Sequence, residues 1–183
     1  MAFLRRLART LATLSMLAVG GTAAEEYWEG YDALDRGDYR AAFKIYSRLA
    51  EAGDARAQDD LGFMYYLGHG TRQDFRMAAK WFRAAAEQGH APAQINLGTL
   101  YRRGLGVSKD NVEAHRWFDL SSVLATSAER RALAAGYRDD LSRHMTIGEI
   151  GEARTIACSW WRRFRPPAGR NIPEFPGCMS DSR

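Results

Sequence analysis

The chain has 183 residues, room for one domain of ordinary size, and a formal charge of +4. Arg5, Arg6 and Arg9 sit in a first segment of 24 residues without an acid, and removing those three charges leaves the remainder at +1. A chain so nearly neutral has no general electrostatic reason to bind nucleic acid.

The opening has three parts in order: the basic start at Arg5, Arg6 and Arg9, an apolar run from Leu11 to Val19 broken only by Thr13 and Ser15, and the small residues Gly20 to Ala24 before Glu25-Glu26. That order predicts a secretory signal peptide over residues 1–24, cut after Ala24. The run is too short for a bilayer, which takes about 20 apolar residues. No Cys stands near the cut, which argues against a lipid anchor, and the flanks of Arg5-Arg6 lend little to a twin-arginine signal. The alternative is a retained amphipathic helix on a membrane surface. Export predicts a periplasmic or secreted protein, with no stable membrane span once the segment is removed.

The next signal is an internal repeat. Residues 53–88 align with 89–124 without a gap. Gly53 meets Gly89, Ala57-Gln58 meets Ala93-Gln94, Leu61-Gly62 meets Leu97-Gly98, and Tyr65 meets Tyr101. Gly68 and Gly70 meet Gly104 and Gly106, Asp74 meets Asp110, Ala78 meets Ala114, and Trp81-Phe82 meets Trp117-Phe118. A partial copy precedes them: Ala42, Tyr46 and Ala50 stand at the register of Ala78, Phe82 and Ala86, with a shorter loop before them. Within each copy Ala57, Leu61 and Tyr65 recur at helical spacing, the glycines close the helix, and Asp74 or Asp110 is placed to cap the next one. Each copy therefore reads as two helices whose apolar face only the next copy can cover, and the copies stack as an all-α solenoid over 25–126. Trp81 and Trp117 are expected to be equivalent core residues.

The pattern Ala93-Gln94, Leu97-Gly98, Tyr101, Gly104, Gly106-Val107, Asp110, Ala114, Trp117-Phe118 resembles the Sel1-like repeat family, relatives of tetratricopeptide repeats. Residues 57–89 carry it with Thr71 in place of Val, and 37–52 look like a truncated first unit. The resemblance covers about 37–124. It implies an αα-hairpin solenoid and a protein–protein interaction module, and nothing about which partner. Together with the predicted export, the leading reading is a periplasmic or secreted adaptor that regulates an envelope sensor or assembles an envelope complex. Two other functions stay open: a secreted factor acting on a host, and a β-lactam-binding or -hydrolysing enzyme like the cysteine-rich branch of the family. That branch carries a disulfide within each repeat, whereas residues 25–157 hold no Cys.

Beyond the repeats, residues 127–165 read as a capping helix pair broken at Met145-Thr146, with Thr146 and Glu149 spaced as a capping box. Residues 166–183 read as irregular. Cys158 and Cys178, an even count in an exported chain, are expected to form a disulfide worth roughly 3 kcal/mol, and their spacing suits no metal site. Arg154, Arg162, Arg163 and Arg165 with Trp160 and Trp161 give either a solvated cap or a surface for an anionic lipid, glycan or acidic protein.

No catalytic, cofactor or metal residues are expected. His69, His90, His115 and His144 are read as solvated or capping. Asp59-Asp60 and Asp139-Asp140 are helix neighbours about 100° apart, poorly placed for joint acid–base work. The predicted binding face uses positions on the first helix of each copy that the repeat core does not demand: Asp59, Phe63 and Tyr66, then Ile95, Thr99 and Arg102. Each set shares one helix face, and a stacked surface of this kind suits a helix or extended segment better than a small molecule.

Overall fold

The computed structural model describes residues 21–164 with Phe175, Pro176 and Cys178, and among these there are eight helices and no strand. They run as α1 (Ala23–Asp35), α2 (Tyr39–Glu51), α3 (Ala55–Leu67), α4 (Phe75–Glu87), α5 (Ala91–Arg103), α6 (Asn111–Leu124), α7 (Ala128–Ser142) and α8 (Ile147–Arg163). The predicted signal segment lies outside the described residues apart from residues 21–24, as does the predicted tail apart from its three described residues.

Local sequence explains most of the helix starts. Asp38, Asp54, Asp74 and Asp110 accept from backbone amides at the starts of α2, α3, α4 and α6. Thr22 with Glu25, and Thr146 with Glu149, close reciprocal capping boxes at the starts of α1 and α8. The cut expected after Ala24 therefore falls inside the first turn of α1, two residues past its cap.

Helices α1–α2, α3–α4 and α5–α6 form three successive hairpins, and α2 packs on α3 and α4 on α5 to join them. The first unit is thus a whole hairpin, not the truncated copy expected from sequence. Its turn, Arg36–Asp38, is four residues shorter than Gly68–Asp74 and Gly104–Asp110. The longer turns press against the preceding unit. A Cβ on Gly70 would lie 2.2 Å from the Tyr39 carbonyl oxygen, and one on Gly106 would lie 2.1 Å from that of Phe75, so only glycine fits. Each hairpin also closes on one contact between a glycine and a ring. Gly30 lies under Tyr46, Gly62 under Phe82 and Gly98 under Phe118, where a Cβ would approach to 2.9, 2.7 and 2.7 Å.

The two last helices pack mainly on α6 rather than on each other. Tyr137 of α7 meets Phe118, while α8 lies on the other flank and reaches α4, where Trp160 Nε1 donates to Glu87 at 2.5 Å. Cys158 and Cys178 are joined, with Cα atoms 5.5 Å apart. The bond holds Phe175, itself buried, against Trp161. This arrangement corrects the expected equivalence of the two tryptophans. Trp117 is fully buried, edge-on to Trp160 and under the Arg116 guanidinium, whereas Trp81 is half-buried with Lys80 over its ring. Helix α8 covers α6 at that register, and nothing among the described residues covers α4 there in the same way. His115 is also corrected: it is buried, with Nε2 3.1 Å from the Ser142 hydroxyl, and burial lowers its pKa.

Candidate functional site

The first helices of the three hairpins, α1, α3 and α5, lie side by side in a constant register. Tyr27 donates to Asp60 at 2.7 Å, Asn96 donates to Asp59 at 2.9 Å, and Arg103 donates to Tyr66 at 2.8 Å. Each bond joins one repeat position to the next-higher position in the following unit. Gln58 and Gln94, equivalent in register, reach back to the carbonyls of Ala50 and Ala86 at 3.1 Å, closing the ends of α2 and α4. The predicted face is therefore built on a hydrogen-bonded scaffold.

Its six residues divide by unit. Phe63 is 49% exposed and stacked on Tyr66. Tyr66 is half-buried, edge-on to Phe75, and holds Arg103, so part of it is structural. Asp59 is taken up by Asn96 and by His90, whose Nε2 is 3.5 Å away. In the third unit the positions turn to α7. Ile95 packs towards Phe118 and Tyr137, Thr99 donates to its own Ile95 carbonyl, and Arg102 lies over Tyr137 with Asp140 at 3.7 Å. The structure brings all six onto adjacent first helices, but among the described residues the open aromatic surface lies towards the N-terminal side.

Sequence reasoning missed the first row of this face. Aligning Gly30 with Gly62 places Tyr27, Tyr31 and Leu34 at the positions of Asp59, Phe63 and Tyr66. Tyr31 is 52% exposed, like Phe63. The signal was the spacing of the two glycines, shortened by the shorter turn.

Between α1 and α3 sits a half-buried acid. Burial pushes the Asp60 carboxyl up to about 6; the Tyr27 hydrogen bond opposes this rise and the neighbouring Asp59 adds to it. Burial likewise raises the Tyr27 hydroxyl, with Asp60 adding to it, while Arg56 lies 4.3 Å from its ring. No group of His, Cys, Asp and Glu among the described residues could hold a metal ion. A shallow cleft of about 290 Å³ crosses the turns between units, bordered by Gln88, His90, Pro92, Thr126 and Arg130. It is below the usual range for a drug-sized ligand. No described helix is long and apolar enough to cross a membrane.

Comparison with known proteins places this geometry. Three consecutive matches to the Sel1 repeat model cover residues 13–54, 55–90 and 91–122, so the first match includes the whole α1–α2 hairpin. A protective antigen present in uropathogenic Escherichia coli strains, displaying an SLR fold, superposes with TM-score 0.70 at 24% identity. That similarity covers 84% of this chain but only 35% of the antigen, so the chain spans about a third of that protein's length. A Sel1 repeat protein from Oxalobacter formigenes gives TM-score 0.55 at 27% identity over 63% of this chain and 89% of that one. The comparison with curated proteins gives no significant match. With its repeats matched over more than half its length and the same fold in solved Sel1 repeat structures, the chain belongs to the Sel1 repeat family.

Proposed function

We propose that the protein is an exported adaptor that binds another protein on the face formed by α1, α3 and α5. The observation that carries this reading is the pair Tyr31 and Phe63. They hold equivalent positions on adjacent helices, and each leaves about half its surface open although the repeat scaffold needs neither. Large aromatics of low conformational cost are common anchors of binding energy. Sel1 repeats are generally protein–protein interaction modules, which agrees. Asp59, Tyr66, Ile95, Thr99 and Arg102 would frame the anchors, with the bonded ones giving shape and the free edges giving specificity.

Export is supported by the basic, apolar and small-residue order of residues 1–24 and by the Cys158–Cys178 bond, since disulfides persist in oxidising compartments. N-terminal sequencing of the protein from an envelope fraction should begin near Glu25; intact Met1 on cytoplasmic protein would refute export.

The binding face is tested by pull-down from that fraction with the native protein and with a Tyr31→Ala, Phe63→Ala variant, followed by affinity measurement on the partner recovered. The variant should lose at least about 2 kcal/mol of binding if these rings are anchors. Its thermal unfolding should change little, since Leu61, Tyr46 and Phe82 keep the hairpins closed. Unchanged affinity with an unchanged melt would move the site elsewhere.

A further inference from the structure

The chain is nearly neutral, but the fold sorts its charges. Around the aspartate caps Asp38 and Asp74, the first two units carry the same cations at equivalent positions: Arg36, Arg40 and Lys44, then Arg72, Arg76 and Lys80. All of them are exposed. In each helix the Arg and the Lys stand one turn apart on one face, and the repeat presents both rows on the same side of the stack. Tyr39, 39% exposed, stacks on His69 of the second unit's turn with ring centroids 4.1 Å apart, which joins the two rows.

The fold does not require these charges. Arg40 and Arg76 stand in the first turns of α2 and α4, where a cation opposes the helix dipole and an acid would suit it. Arg56, at the same spacing from its own cap, bonds Asp54 at 3.1 Å, whereas Arg40 and Arg76 form no ion pair among the described residues. Arg36, Lys44 and Arg72 form none there either, and Lys80 lies over the ring of Trp81. The nearest acids, Asp38 and Asp74, accept from cap amides, and Glu51 and Glu87 lie at the far ends of the two helices. In the third unit these positions hold Ser108, Val112 and Arg116, and Arg116 is buried and bonded to Glu113. The repeat is therefore built equally well without the row.

We infer that this edge of the stack, formed by the turns before α2 and α4 and the first half of each helix, docks on an anionic lipid surface through its phosphate headgroups. Charge complementarity carries the choice of partner. Two rows of exposed cations without carboxylate partners match a continuous sheet of phosphates, and guanidinium groups suit phosphate oxygens in particular. A folded protein fits less well, because the centre of a protein interface is poor in charge and rich in large apolar side chains. Among the described residues Tyr39 is the large exposed ring of this patch. A tyrosine suits a headgroup boundary, with its ring on the apolar side and its hydroxyl in water. This inference does not rest on the adaptor reading, whose anchors lie on the first helices.

The test is flotation of the native protein with vesicles of phosphatidylcholine alone, and with vesicles of phosphatidylcholine and phosphatidylglycerol in equal parts. Binding is expected to the anionic vesicles and not to the neutral ones, and added salt should weaken it steeply. Arg40→Glu with Arg76→Glu should weaken it at least about tenfold. That variant should melt no lower than the native protein, since an acid suits a first turn. Arg36→Glu with Arg72→Glu, placed outside the helix interiors, should weaken binding in the same way. Tyr31→Ala with Phe63→Ala should bind vesicles as the native protein does, which separates this surface from the one proposed above. Equal binding by the two charge-reversed proteins would overturn the inference. So would salt-resistant binding to neutral vesicles, the mark of an apolar segment. Binding to soluble polyglutamate with none to the anionic vesicles would replace the lipid by an acidic protein.

Discussion

The second and third repeats share a gapless register, yet they ended in different surroundings. Trp81 and Trp117 occupy the same position after the same turn and the same aspartate cap. One is partly buried with a lysine over it; the other is closed under Trp160 of a helix that is not part of the repeat. A repeat motif therefore fixes which residue faces a junction, while the neighbour across the junction fixes how much that residue contributes. The same holds at the level of whole faces. Tyr31 and Phe63 remain open, whereas Arg102, at the register of Tyr66, is drawn to Tyr137 and Asp140 of α7.

The largest test of this contrast is the tryptophan pair itself. Trp117→Ala should cost about 3–5 kcal/mol, the range for deleting a buried aromatic. Trp81→Ala, which removes a partly buried ring, should cost less. Chemical denaturation of both variants decides it, and equal losses would mean that α8 does not control the difference.

A second test removes the covering helix's anchor. Replacing Cys158 and Cys178 by Ser should lower stability by roughly 3 kcal/mol in the chain-entropy picture of a loop of 20 residues. The loss should fall on the C-terminal side. Trp117→Ala made in that background should then cost less than in the oxidised protein, because Trp160 is held less firmly against it. Strict additivity would argue that the bond and the Trp117 site are independent.

The smallest effect lies at the other end. The folded Asp60 carboxyl titrates near 6, above its ordinary value of 3.8, so the folded state holds the proton more tightly than the unfolded chain does. Its stabilising contribution is full below about pH 4 and is lost as pH rises through 6, at most about 3 kcal/mol before solvent screening at this part-buried site reduces it. Asp60→Asn keeps a group that can accept from Tyr27 and should flatten this part of the pH profile. An unchanged slope between pH 4 and 7 would place the titration elsewhere.

Much of this was legible before folding. The gapless match of 53–88 with 89–124 placed α3 to α6, their glycine closures and the aspartate caps of α4 and α6, because helix ends and close approaches demand particular residue types locally. Thr146 and Glu149 marked the start of α8 for the same reason. The first hairpin was read as truncated because its register shifts within the unit: the ring positions keep one spacing while Gly30 and Gly62 keep a shorter one. Of the candidate face, the shared orientation of Asp59, Phe63 and Tyr66 followed from helical spacing alone, but Tyr27, Tyr31 and Leu34 were hidden by that shift.

Periodicity and capping chemistry thus determined the helices, their pairing into hairpins and the family, since these depend on contacts within a few turns of chain. Tertiary packing decided which of two equivalent tryptophans is core, why α7 and α8 flank α6 instead of pairing, and why the Asp60 carboxyl titrates above its ordinary range. Burial and solvation are set by whichever segment arrives from far along the chain, and no local pattern records that arrival.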